Sequence, residues 1–110
     1  DALFRLFRKL LAENYRKEHE LQFYADSLHI SQTYLSRVIR QISGKTVNNY
    51  ITEALYRDAR RLLVFTDLTV KEIAEQLGFS DQSSFGKFFK KKSGTSPANF
   101  RAGYKKLHNL

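Results

Sequence analysis

The amino-acid sequence predicts an all-α fold of seven helices, arranged as two similar subdomains joined by a long linker helix. Three observations predict it. Apolar residues recur at helical spacing, and no segment alternates with a period of two. Capping residues and glycines mark where helices start and stop. The second half of the chain also repeats the first at an offset of 49 to 50 residues.

A first helix is expected over about 2–16, where Leu3, Leu6, Phe7, Leu10, Leu11 and Tyr15 follow the i, i+3, i+4, i+7, i+8 rule. A short second helix over about 21–28 carries Leu21, Tyr24, Ala25 and Leu28. Ser31 is a good N-cap for a third, with the apolar stripe Leu35, Val38, Ile39, Ile42 and its end at Gly44. A long helix over 47–65 includes Tyr50, Ile51, Ala54, Leu55, Leu62 and Leu63. Thr69 and Glu72 have capping-box spacing and open a fifth helix with Ile73, Ala74 and Leu77, ended by Gly78. Phe85, Phe88 and Phe89 mark the inner face of a sixth, closing at Gly94. Ser96 followed by Pro97 is a cap-then-first-turn signal for a seventh, to about Lys106. The expected organisation is a first subdomain at 1–46, a linker helix at 47–65 and a second subdomain at 66–110.

In the repeat, Ala25, Leu28, Ile30 and Ser31 align with Ala74, Leu77, Phe79 and Ser80 at offset 49. From Leu35 the offset is 50: Leu35 with Phe85, Ile39 with Phe89, Ser43-Gly44 with Ser93-Gly94, Tyr50 with Phe100. One residue inserted in the turn accounts for the change. Each copy is a short helix with a small alanine, a tight turn at His29 or Gly78, and a second helix with a basic outer face. Alanine lets two helices cross closely. Glycine, and histidine more than most residues, tolerates the positive φ of such a turn. Each copy therefore reads as a helix-turn-helix, and the whole as a tandem, homeodomain-like fold.

Charge narrows the partners. Nineteen Lys and Arg against 11 Asp and Glu leave a net charge of +8, unevenly spread. Between Asp26 and Glu53 there is no acid, and after Asp81 there is none while seven basic residues follow. Two acid-free basic segments fit two contact surfaces for a polyanion. With no cysteine and three scattered histidines, no metal site is expected, and no cofactor. No nucleophile–base pair or glycine-rich phosphate loop can be assembled, so no catalytic residue and no enzyme is expected. No apolar run approaches the ~18 residues of a membrane span, and nothing in the sequence resembles a signal peptide. The reading is cytoplasmic and nucleoid-associated. A start at Asp1, just ahead of a helix, suggests a longer parent protein.

The third helix packs through 35, 38, 39 and 42, so its opposite face shows Thr33, Ser36, Arg37 and Arg40, with Gln32 at its start. The matching face of the sixth shows Ser83, Gly86, Lys87 and Lys90, beside Gln82. These side chains hydrogen-bond base edges or phosphates, and neither face is expected to carry a carboxylate. Gly86 is the exception, since a helical glycine costs roughly 1 kcal/mol relative to alanine. Close approach of its backbone to the groove is the functional reading. A 19-residue linker helix spans roughly 28 Å, near the ~34 Å between successive major-groove faces. Direct repeats on one chain then predict a monomer on an asymmetric double-stranded DNA site of about 20 bp. A second reading docks the basic helices on an acidic protein such as RNA polymerase.

The sequence resembles the DNA-binding domain of the AraC/XylS family of bacterial transcription regulators over essentially its whole length. Glu72-Ile73-Ala74, Leu77 to Ser83, Phe85, Lys87 to Lys91, Gly94 and Ser96-Pro97 reproduce the family signature, and Ala25, Leu28, Ser31, Tyr34 to Arg37, Gly44 and Tyr50-Ile51 match its first unit. The resemblance implies recognition helices at about 32–43 and 82–93. It implies base contacts from Thr33, Ser36 and Arg37, and from Gln82, Ser83 and Lys87. It also implies an additional effector-binding or dimerisation domain in the parent. Three positions depart from the pattern: Val47 for a usual proline, Ser84 for a frequent aromatic, and Lys87 for a frequent arginine that could contact guanine bidentately.

Overall fold

Why each helix begins where it does is visible in the computed structural model, which describes residues 1–109. The described residues form α1 (Ala2–Asn14), α2 (Leu21–Ser27), α3 (Gln32–Ser43), α4 (Val47–Phe65), α5 (Val70–Gln76), α6 (Gln82–Ser93) and α7 (Pro97–Leu107), with no strand among them. They divide into two units, one from Asp1 to Leu55 and one from Tyr56 onward, so that α4 contributes its first half to one and its second half to the other. Leu110, the last residue of the expected second subdomain, lies outside the described residues.

In the first unit the Asp1 carboxylate accepts from the amides of Leu3 and Phe4, at 2.8 and 3.3 Å, and starts α1. The helix stops two residues short of the end its periodicity suggests. The Asn14 amide turns back to donate to the Leu10 carbonyl at 2.8 Å, and the Asn14 carbonyl accepts from Lys17 and Glu18. The core is aromatic: the fully buried Phe7 meets Tyr24 and Tyr50 edge-on, each with centroids 5.8 Å apart. The buried Tyr24 hydroxyl donates to the Glu18 carbonyl at 2.8 Å. Burial foremost, and then the Glu18 charge, push this phenol up to about 12. Leu35 and Ile39 are fully buried, but Ile42 is 44% exposed. Periodicity identifies the inner face of α3; it does not report where the covering helices end.

The start of α4 shows how it manages without proline. The Thr46 hydroxyl accepts from the Asn49 amide at 3.0 Å, while the Asn49 side chain accepts from the Thr46 amide at 3.2 Å. This is a capping box with asparagine in the place of glutamate. Lys45 adds an ion pair to Glu53 at 3.1 Å, half exposed and worth little by itself.

The second unit buries Ala59, Leu62 and Leu63 of α4, Ile73 and Ala74 of α5, Leu77 just after it, and Phe85 and Phe89 of α6. Phe89 is the hub, with Tyr56 and Phe100 at 5.4 and 5.3 Å. The expected Thr69–Glu72 box is present, with reciprocal bonds of 2.9 and 3.0 Å. Those bonds from Thr69 hold the Glu72 carboxyl below the usual range. At the end of α4 the Leu62 carbonyl accepts from the Thr66 amide and hydroxyl, and Arg101 adds donors there: Nε to Leu63 at 2.9 Å, and Nη2 to Leu62 and to Thr66 just past the helix.

Candidate nucleic-acid interface

Both turns are built by the same hydrogen bonds. After α2, His29 adopts φ 58°, its amide donates to Asp26, and the Ile30 amide reaches back to Ala25 at 3.1 Å. After α5, Gly78 adopts φ 79°, its amide donates to Glu75, and the Phe79 amide reaches Ala74 at 3.0 Å. Each is a Schellman closure with its left-handed residue at the same place. Glycine enters that region freely; histidine does so at some cost in the first unit. Ala25 and Ala74 are buried where each pair of helices meets.

The second helix of each pair is launched by an N-cap. Ser31 Oγ accepts from the Tyr34 amide at 3.0 Å, and Asp81 Oδ1 accepts from the Ser84 amide at 2.7 Å. The caps therefore correspond at offset 50, and the inserted residue is Ser80. Matching Ser31 with Ser80, as composition suggests, is corrected by this geometry. A cap oxygen receives an amide two or three residues on, and it is Asp81 that receives the Ser84 amide.

That correction changes the charge of the second face. The Asp81 carboxyl is held below the usual range, chiefly by the Ser84 amide and in part by the positive charge of Lys87. A carboxylate thus stands within electrostatic reach of Lys87, where a face free of acids was expected. The first unit has a neutral serine at this position.

The ten candidate residues fall on matching surfaces of α3 and α6. Gln32, Thr33, Arg37 and Arg40 are exposed, and Ser36 is half-buried; Gln82, Ser83, Lys87 and Lys90 are exposed, and Gly86 is half-buried. Arg37, Arg40, Lys87 and Lys90 make no salt bridge among the described residues, leaving their charge available to an anion. A contact that sequence reading missed joins Tyr34 to Arg37: the guanidinium lies over the ring, 5.6 Å from its centroid. Its only sequence signal is the i, i+3 spacing.

Ser36 and Gly86 each line a groove between the second helix of the pair and the start of the next. In the first unit the groove encloses about 200 Å³ and includes Leu21, Thr46, Val47 and Asn48, with Glu20 also lining it. In the second it opens to about 490 Å³ over Val70, Ser96, Pro97 and Ala98. Gly86 and Ala98 stand in the wider, more apolar second groove where the first has Ser36 and Asn48. A Cβ added at Gly86 would meet no atom of the protein within 4 Å, so internal packing does not require glycine there.

Residues 24–103 match the family model described as a helix-turn-helix domain. Among curated relatives, the chain is 32% identical over 103 residues to the uncharacterized HTH-type transcriptional regulator YijO of Escherichia coli, covering 94% of this chain and 36% of that one. It spans about a third of the length of such curated relatives. Among solved structures, the C-terminal domain of AraT, a response regulator from Geobacillus stearothermophilus, superposes with a TM-score of 0.89 at 32% identity, covering 94% of this chain and 86% of that one. The fold is also that of the DNA-binding domain of AdpA, a global transcriptional factor solved in complex with a target DNA, at a TM-score of 0.86, 24% identity and coverage of 100% and 98%. With its paired Schellman turns, its matched second helices and a family match across most of its length, the chain belongs to the AraC-type helix-turn-helix family of DNA-binding transcription regulators.

Proposed function

We propose that this chain reads double-stranded DNA by inserting α3 and α6 into successive major grooves, and that it regulates transcription in the bacterial cytoplasm, on the nucleoid. The observation that carries the reading is the pair of exposed faces at equivalent positions after two identically built turns, both basic and free of salt bridges. Thr33, Ser36 and Arg37 address base edges from α3, while Gln32 and Arg40 hold phosphates. Gln82, Ser83 and Lys87 contribute from α6, with Lys90 on phosphate and Gly86 allowing the backbone to come close.

The functional division is two reading units, 1–46 and 66–110, on a linker helix, 47–65. Direct order of the units gives an asymmetric site of about 20 bp. The protein acts by binding, without catalysis or cofactor. AdpA, whose fold this chain shares, was captured on target DNA, which favours duplex over an acidic protein such as RNA polymerase as the surface these faces meet. Control by an effector-binding or dimerisation domain of a longer parent is part of the proposal.

Selection of bound duplexes from a random pool, followed by salt titration of the winner, tests it. The expected result is one strongly preferred asymmetric motif whose affinity falls steeply with salt. Weak binding with no sequence preference would overturn it.

A further inference from the structure

The contact between Tyr34 and Arg37 assigns a role to a residue outside the base-reading set. Tyr34 is 43% exposed at the flank of the α3 face, and its backbone amide is fixed by the Ser31 cap at 3.0 Å. Its ring lies one turn before Arg37, under the guanidinium, 5.6 Å from ring centroid to Cζ. An arginine meant to read guanine must present two N–H groups in one plane, yet a free arginine samples many rotamers. A carboxylate could restrain it only by occupying the donors that the base needs. An aromatic ring beneath the charge restrains it with no carboxylate oxygen to occupy those donors.

We propose that Tyr34 is a positioning residue that orients Arg37 for bidentate base reading, and that this pairing gives the first unit its advantage in sequence discrimination. The inference rests on the DNA-reading function proposed above. The second unit supplies the contrast. At the equivalent positions stand Ser84 and Lys87, which can neither stack nor make a planar two-bond contact, and Lys87 lies within electrostatic reach of the Asp81 carboxylate.

The test uses the full chain, the duplex it selects from a random pool, and the same duplex changed at the base pair whose preference Arg37→Ala relaxes. Tyr34→Leu is expected to lower discrimination at that pair by about two- to fivefold, the range of an exposed cation–π contact. Tyr34→Phe should retain it, and Tyr34→Leu should change nothing further in an Arg37→Ala background. Unchanged discrimination in Tyr34→Leu overturns the inference, as does an equal loss in both backgrounds or a loss in Tyr34→Phe matching that in Tyr34→Leu. If the wild-type chain selects no preferred duplex at all, DNA reading itself falls and the inference with it. Survival of the wild-type preference through Tyr34→Leu removes the inference alone.

Discussion

Arginine and lysine on one helix face do different work, and α3 and α6 separate the two. Arg37 can match two acceptors of a base, whereas a lysine is a point charge suited to phosphate. Arg37→Ala should therefore cost about 1–3 kcal/mol on the preferred duplex and relax preference at one base pair. Lys90→Ala should weaken all duplexes alike and reduce the slope of log affinity against log salt by about 1. Titrating both variants on preferred and scrambled duplexes checks the division, and equal behaviour would abolish it. Gly86 invites a second comparison. Because an added Cβ meets open space and the backbone there avoids positive φ, Gly86→Ala should raise stability by up to about 1 kcal/mol through helix propensity. Affinity should fall, since the methyl group would hold the backbone off the groove. A more stable variant that binds as tightly as the parent would show that the glycine has no part in binding.

At the level of elements, the helix termini connect folding with pH. The Asp81 and Glu72 carboxyls are both held low by the amides they cap, so the folded chain binds fewer protons there than the unfolded chain does. This stabilisation is fully present above the ordinary carboxylate pKa of about 4, and is lost as pH falls through the lowered folded values. Asp81→Asn keeps a capping oxygen but removes the titration, so its stability should fall less than the parent's when denaturation is repeated from neutral pH into that acid range. The same variant should bind DNA more tightly at neutral pH, since a negative charge near Lys87 is gone. The elements themselves were largely legible: propensity, periodicity and caps mark seven helices, and the range expected for α4 coincides with the one found. What stayed hidden depends on three-dimensional choices. Ser80 and Asp81 are both acceptable caps by type, and only the turn's hydrogen bonds decide between them. Glu20 lies outside the acid-free segment in sequence, yet the fold brings it to the groove beside Ser36. The outer faces of α3 and α6 could be read from helical spacing, but the placement of Arg37 over the Tyr34 ring is a rotamer choice that spacing permits without dictating.

Across the whole molecule, on the proposed function, the duplication sets the symmetry of the target and divergence between copies sets how information is distributed along it. Two units of different sequence on one chain read the site on this proposal, unlike a dimer of identical single helix-turn-helix domains, whose operators are palindromic. The selected site should therefore be asymmetric. Its two halves should also be unequal. The first unit offers Arg37 backed by Tyr34, with a neutral cap, whereas the second offers Lys87 near Asp81, a glycine, and three consecutive lysines from Lys90 to Lys92 that suit phosphate. Base preference in the selected motif should concentrate in one half, and Arg37→Ala should flatten that half while Lys87→Ala leaves it intact. Salt dependence should respond in the opposite sense, more to removal of lysines on α6 than to Arg37→Ala, because each lost phosphate contact lowers the slope by nearly one. A palindromic motif, or equal information in both halves, would mean that the copies still read DNA alike despite their different side chains. A motif confined largely to one half, with a salt slope set largely by the other, is what a duplicated domain gives after one copy has turned toward anchoring.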